Sequence, residues 1–146
     1  MKVIISVIIL SVLLAGLALA QDDPKVEAQK AYNEGLSFLK KNQTSEAITK
    51  FNEAVQKDPY RHIAYYALGI AYKSDNNYTQ AEAMFKKAID KNENYDAAYN
   101  ALGLLYSSQK KYESAISTFK AALGIEPNNY KSNFGLGYVY LQQKDY

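Results

Sequence analysis

The sequence predicts an all-α fold, a superhelical solenoid of antiparallel helix pairs, and three observations carry that expectation. The first is a 34-residue period. Leu68-Gly69 recurs as Leu102-Gly103 and Leu136-Gly137, and Gly35 stands one step earlier. The second is helical apolar spacing inside each period, as in Tyr65, Leu68, Gly69 and Tyr72 at i, i+3, i+4 and i+7. The third is turn composition between apolar stretches, Ser74-Asp75-Asn76-Asn77 being one case. Further columns share the step: Ala47, Ala81 and Ala115; Phe51, Phe85 and Phe119; Ala54, Ala88 and Ala122; and Phe38, Tyr72, Tyr106 and Tyr140. Pro59 and Pro127 lie two periods apart, with Glu93 between them.

In chain order, residues 1–20 come first. Met1 and Lys2 precede the uncharged run Val3–Ala20, which ends in the small-residue pattern Ala18-Leu19-Ala20. That arrangement predicts a secretory signal peptide, helical in its apolar part and cut before Gln21, so that the protein is exported to a periplasm or the cell exterior. An uncleaved membrane anchor through residues 3–20 is the alternative, because about 20 apolar residues can span a bilayer. No Cys follows the run, which excludes a lipid-bearing cysteine anchor. An exported chain without cysteine fits a bacterial envelope better than a disulfide-dependent secreted domain.

Residues 21–27 are a lead-in, with Asp22-Asp23 ahead of Pro24 as a helix start. The repeats then occupy 28–61, 62–95, 96–129 and, in part, 130–146. Their helices are expected at about 25–41, 44–57, 60–74, 79–91, 96–109, 113–124 and 129–143. Lys41-Asn42-Gln43 and Gln109-Lys110-Lys111 are the breaks equivalent to Ser74–Asn77, and Thr79 with Glu82 reads as a capping box opening the fourth helix. Residues 130–146 supply one helix of a pair and carry Leu136, Val139, Tyr140 and Leu141 with no following helix to cover them. The expectation is an N-terminal portion of a longer chain. The alternatives are a self-capping helix, or one covered by a partner or a second copy.

Glycine inside a helix costs about 1 kcal/mol relative to Ala. Gly35, Gly69, Gly103 and Gly137 are therefore expected where the two helices of a pair approach closely. Ala47, Ala81 and Ala115 are expected to face them, and Phe51, Phe85 and Phe119 to fill the wider part of each wedge. Tyr is unusually frequent, 14 residues with no Trp. The columns assign Tyr72, Tyr106 and Tyr140, and Tyr78, Tyr112 and Tyr146, to core packing.

The pattern Tyr65-x-x-Leu68-Gly69-x-x-Tyr72 with Ala81-x-x-x-Phe85, repeated as Tyr99-x-x-Leu102-Gly103-x-x-Tyr106 with Ala115-x-x-x-Phe119 and Pro127, resembles the tetratricopeptide repeat. The resemblance covers residues 28–146. The first repeat departs from it, with Ala31 and Glu34 where a bulky aromatic and Leu are expected, as suits a polar end repeat. The resemblance implies a right-handed superhelix whose first helices line a concave groove for a peptide or helix. It places that groove on Tyr32 and Leu36, on Ile63, Tyr66 and Ile70, on Asn100 and Leu104, and on Phe134 and Tyr138. Turn-side positions add Leu39, Lys40, Lys73, Ser74, Ser107 and Ser108. Some family members grip acidic chaperone C-termini with a Lys, Asn and Arg clamp. The matching positions are Tyr32, Leu36, Ala67, Ala97 and Ala101, so that clamp is missing.

Composition narrows the chemistry. The 146 residues hold 17 Lys+Arg against 15 Asp+Glu, a net charge of +2 that favours neither nucleic acid nor an acidic tail. Cys is 0, which removes disulfides, thiolate zinc and cysteine nucleophiles; His62 is the one imidazole, so a multi-histidine metal site is excluded too. His62 beside Arg61 reads as a boundary residue. Gly135-x-Gly137 lacks the strand and third glycine of a dinucleotide loop. Asn42-Gln43-Thr44 and Asn77-Tyr78-Thr79 match the glycosylation sequon, as Asn-rich turns often do. No catalytic constellation, cofactor or metal is expected. The expected role is a non-catalytic scaffold that binds another protein or peptide, with self-association through the last helix as a further option. The contrasting readings are the docking or substrate-binding arm of a larger enzyme, or a subunit of an envelope assembly.

Overall fold

The computed structural model describes residues 23–144. The signal segment 1–20, its cleavage point before Gln21, and Tyr146 lie outside the described residues. Seven helices follow one another: α1 Pro24–Lys40, α2 Thr44–Lys57, α3 His62–Ser74, α4 Tyr78–Lys91, α5 Asp96–Ser108, α6 Tyr112–Ile125 and α7 Tyr130–Lys144. Their ends agree with the periodicity to within two residues. α1 packs on α2, α3 on α4 and α5 on α6; each pair then stacks on the next, and α7 lies against α6 and α5. None of the described helices is long and apolar enough to cross a membrane.

The turns inside the pairs are built alike. Asn42, Asn76 and Lys110 all have positive φ, between 57 and 59°. At each, the residue's own N–H and the next one close back on the ending helix: Asn42 N to Leu39 O and Gln43 N to Phe38 O, both 3.0 Å, with the same two bonds after α3 and α5. This is a Schellman stop, which satisfies the last carbonyls and needs a left-handed residue. Asn tolerates that conformation, which accounts for the two asparagines. The residue after the stop is the N-cap of the following helix. The expected Thr79 capping box is therefore displaced: α4 begins at Tyr78, and Asn77 caps it, its side chain accepting from Gln80 N at 3.3 Å. Asp23 caps α1 by accepting from Lys25 N at 2.9 Å, with Pro24 in the first turn, so part of the 21–27 lead-in is already helix.

Phe51, Phe85 and Phe119 are fully buried, and burial of each is worth about 2–3 kcal/mol. Their ring edges lie directly on Gly35, Gly69 and Gly103. A Cβ on those glycines would stand 2.6, 2.6 and 2.7 Å from ring carbons. The atoms nearest each of these glycines thus belong to phenylalanine rather than to the Ala47, Ala81 and Ala115 of the sequence expectation, which are fully buried as well. The reason is shape: a flat ring covers the bare backbone, whereas a methyl would leave a gap. Gly137 is the exception, with nothing within 4 Å of a Cβ built on it. Gly135 takes part instead, its Cβ position being 2.5 Å from Phe119 Cζ, so Phe119 is held between two glycines.

The two ends of the stack differ. The face that interior first helices turn to the preceding pair is apolar and buried, as at Ala64, Leu68 and Ala71 or Ala98, Leu102 and Leu105. The same positions on α1 are Lys30, Glu34 and Ser37, with Glu34 paired to Lys50 at 2.7 Å. At these positions the outer face of α1 is therefore polar. On α7 the inner face buries Ser132 and Val139, and Phe134, Tyr138, Tyr140 and Leu141 are exposed outside. The tyrosine columns divide accordingly. Tyr106 is buried and Tyr72 half-buried, but Tyr78 and Tyr140 are exposed. Tyr78 caps a turn through its hydroxyl, which donates to Asn76 Oδ1 at 2.9 Å, and Tyr140 has no following helix over it among the described residues.

Candidate partner-binding groove

The first helices of the repeats, α1, α3, α5 and α7, bring their candidate residues to one face, but not into a single site. Tyr66, Ile70, Lys73, Asn100 and Leu104 line one depression of about 540 Å³ between α3, α5 and the start of α7. Leu104 also borders a second depression, about 320 Å³, with Ser107, Ser108 and Tyr138. The two meet at Leu104, which is 44% exposed. Tyr32 and Leu36 are instead half-buried in the first repeat: Tyr32 packs on Phe51 at 5.8 Å between ring centroids, with the Arg61 guanidinium over its ring at 5.1 Å. Leu39 belongs to the same packing. Ile63 is half-buried and borders neither depression. Phe134, 76% exposed, lies outside both and groups with Gly137, Tyr138 and Leu141.

The depression has an apolar wall, a polar floor and a charged rim. Tyr66 forms the wall, tilted against Phe85 at 5.9 Å and edge-on to Tyr95 at 5.4 Å. Burial pushes both phenols up, Tyr95 to about 12, with the Asp96 carboxylate and neighbouring phenols adding to the shift. Both rings are thus neutral hydroxyl groups across the physiological range. Asn100 forms the floor. It is 8% exposed, and its carboxamide oxygen is buried with no hydrogen-bond partner. At the rim, Asn129 Nδ2 donates to Asp96 Oδ2 at 2.7 Å, and Lys73 and Lys131 stand nearby.

Asp96, Asn129, Tyr130 and Lys131 were not among the sequence candidates. A signal did exist, in the column Arg61, Tyr95, Asn129 at the 34-residue step. Each of these turn residues reaches back over the first helix of its own repeat. Arg61 hydrogen-bonds Gln29 and covers Tyr32; Tyr95 meets His62 edge-on at 4.8 Å; Asn129 holds Asp96. His62 is a boundary residue, 3.3 Å from Asn92 through Nε2. Among the described residues no group of three or more His, Asp or Glu gathers where a metal could bind.

Comparison with known proteins gives the same architecture. A family model described as Tetratricopeptide repeat matches residues 32–95, 66–130 and 100–146. No curated protein sequence matches the chain. Among solved structures, the first such domain of Spaghetti (RPAP3), bound to the HSP90 peptide SRMEEVD, is 23% identical over 82% of this chain and 95% of its own, with a TM-score of 0.78. The Arabidopsis OM64 domain is 21% identical over 82% and 98%, with a TM-score of 0.78. The TPR2B domain of yeast Sti1, in complex with an Hsp70 peptide, is 25% identical over 82% and 98%, with a TM-score of 0.73. The family model and the seven stacked helices together establish that the chain belongs to the tetratricopeptide repeat family.

Proposed function

We propose that this chain is a non-catalytic scaffold of an exported protein, and that it binds an extended peptide of another protein in the groove that runs from Tyr66 past Leu104 to Tyr138. The observation that carries the reading is the exposed Leu104 where the two depressions meet, with the ring of Tyr66 and the side chain of Asn100 lining the first of them. Apolar side chains of the peptide cover Leu104 and Tyr66, and its backbone meets the polar rim of Asp96, Asn129 and Lys73. Aromatic and aliphatic anchors with polar neighbours are the usual composition of a recognition hot spot. The likeness to domains that hold HSP90 and HSP70 peptides supports a peptide as partner. The ligand differs in chemistry, however. Alanine stands at the clamp positions Ala67, Ala97 and Ala101 that the resemblance implies, and the lysines of the groove, Lys73 and Lys131, stand only at its rim, so the preferred peptide is apolar and internal.

The test is selection of peptides from a random library on the full chain, followed by titration of the enriched peptides. Leu104→Asp changes only an exposed side chain and weakens binding at least about tenfold, or about 1.4 kcal/mol. Tyr66→Ala combined with Leu104→Ala abolishes it while circular dichroism stays helical. The peptide SRMEEVD does not compete. Unchanged affinity in Leu104→Asp discards the groove.

A further inference from the structure

The charges along the groove are unevenly placed. Asp96, Asn100 and Leu104 follow one another at i, i+4 and i+8 on α5, and all three line the larger depression. Asp96 opens α5, whereas Lys73 lies in the last turn of α3 and corresponds by the repeat step to Ser107. The two ends of the groove therefore differ in charge. Asp96 is half-buried, and its Oδ2 accepts from Asn129 Nδ2 at 2.7 Å. Asn129 is held in turn, its Oδ1 accepting from Lys131 N at 3.1 Å and Ser132 N at 3.2 Å. Ion pairs among the described residues use Glu34, Glu53, Glu82 and Asp90, and none uses Asp96. Lys131, on the same rim, carries its Nζ over the ring of Tyr130, 5.9 Å from the centroid. The charge of Asp96 is felt at the wall instead. After burial, it is the largest cause that raises the Tyr66 phenol.

We infer that this end of the groove selects a basic residue of the bound peptide, arginine above lysine, whose cation sits on the Asp96 carboxylate beside the ring of Tyr66. The inference rests on the proposed peptide groove and names the one charge that an otherwise apolar peptide carries there. A carboxylate beside an aromatic ring suits a cation, which gains from the opposite charge and from the ring face together. A guanidinium is planar and weakly hydrated, so it can lie on a ring while it donates to an oxygen. Repeat 1 already contains such a contact within the chain. Tyr32, one period before Tyr66, has the Arg61 guanidinium over its ring at 5.1 Å, and that group also donates to Gln29. The spacing follows from the two backbones. From Asp96 to Leu104 the helix rises about 12 Å. An extended peptide advances about 3.3 Å per residue, so roughly three to four of its residues span that rise. Arg or Lys is therefore three to four residues from the apolar side chain that covers Leu104. The residue between them faces Asn100, about 6 Å from Asp96 along the axis, and is not acidic.

The probe is a random dodecapeptide library displayed on phage, selected on the full chain and on its Asp96→Asn and Asp96→Lys variants. Asp96→Asn keeps an acceptor for Asn129 and removes only the charge. Peptides enriched on the parent chain are expected to carry Arg or Lys at that spacing from an apolar residue. On Asp96→Asn the basic preference disappears while the apolar one stays, and on Asp96→Lys an acidic residue takes its place. An enriched peptide with its Arg replaced by Glu binds the parent chain about tenfold more weakly and regains the loss on Asp96→Lys. A merely structural role of Asp96 would not produce that rescue. Enriched peptides with no basic preference, with an acidic preference at that place, or with the same basic preference on Asp96→Asn overturn the inference and leave the groove standing. No enriched peptide, or peptides indifferent to Leu104→Asp, overturns both.

Discussion

Gly135 and Gly137 are two residues apart on α7 and have opposite surroundings. A methyl at Gly135 meets Phe119 Cζ at 2.5 Å, and Phe119 has no room to retreat because Gly103 holds its other side. A methyl at Gly137 meets nothing. Helix propensity favours Ala at both by about 1 kcal/mol. At Gly135 overpacking, typically 1–3 kcal/mol, opposes that gain and exceeds it. Gly135→Ala is therefore expected to lower stability by up to about 2 kcal/mol, and Gly137→Ala to raise it by up to about 1 kcal/mol. Urea denaturation of the two variants beside the parent chain checks the signs. Destabilisation by Gly137→Ala would contradict the open space around that Cβ position. The sequence presents the two glycines as one short motif. It distinguishes them only through the 34-residue step, and that step assigns the close contact to the wrong one.

At the scale of elements, helices from neighbouring pairs are tied by few polar contacts, and Glu82 on α4 makes the densest set. Its carboxylate accepts from Lys86 Nζ at 2.7 Å and from the Tyr106 hydroxyl of α5 at 2.9 Å, with Lys111 Nζ at 3.7 Å. The hydrogen bond from Lys86, reinforced by Tyr106 and Lys111, holds the Glu82 carboxyl below its ordinary 4.5 in spite of partial burial. A carboxyl lowered on folding stabilises the fold at pH above its ordinary value, and that increment is lost as pH falls through the lowered one. Thermal melts between neutral pH and pH about 3 are expected to show it. At neutral pH Glu82→Gln melts lower by about 3 °C, equivalent to somewhat under 1 kcal/mol. The gap between the two chains closes in acid. A gap that persists at low pH would mean that the loss is one of packing.

For the whole molecule, stability in a solenoid is close to a sum of repeats and nearest-neighbour interfaces. The interior helices α3 to α6 have neighbours on both sides, whereas α7 is packed on its inner face alone. Its apolar residues point in nearly all directions, which is the signature of a helix meant to be covered on more than one side. Amide exchange is expected to follow this order, fastest in α7 and slowest in α4 and α5, with α1 protected further than α7 because its outer face is polar. Mass-spectrometric exchange on the full chain reads it directly. Protection of α7 equal to that of α4 would show its outer face already covered. The groove belongs to this scale too, since α3, α5 and the turn before α7 each contribute one side of it.

The amino-acid sequence by itself determined the helices, their pairing and the repeat phase. Periodicity is a local property, and an apolar stripe at 3.6 residues has one way to be buried. It also brought Tyr66, Ile70, Asn100 and Leu104 to one face, because residues at one repeat phase lie at equivalent places on successive first helices. Tertiary structure alone decided which of these share a depression, since Asp96, Asn129, Tyr130 and Lys131 arrive from turns whose path follows from stacking. It decided that Asn100 is largely buried in the groove, that Tyr32 and Leu36 are spent on packing, and that a Phe ring lies on Gly35, Gly69, Gly103 and Gly135 but not on Gly137. Those outcomes depend on how deeply one helix sinks into the next, and that depth is set by contacts across pairs.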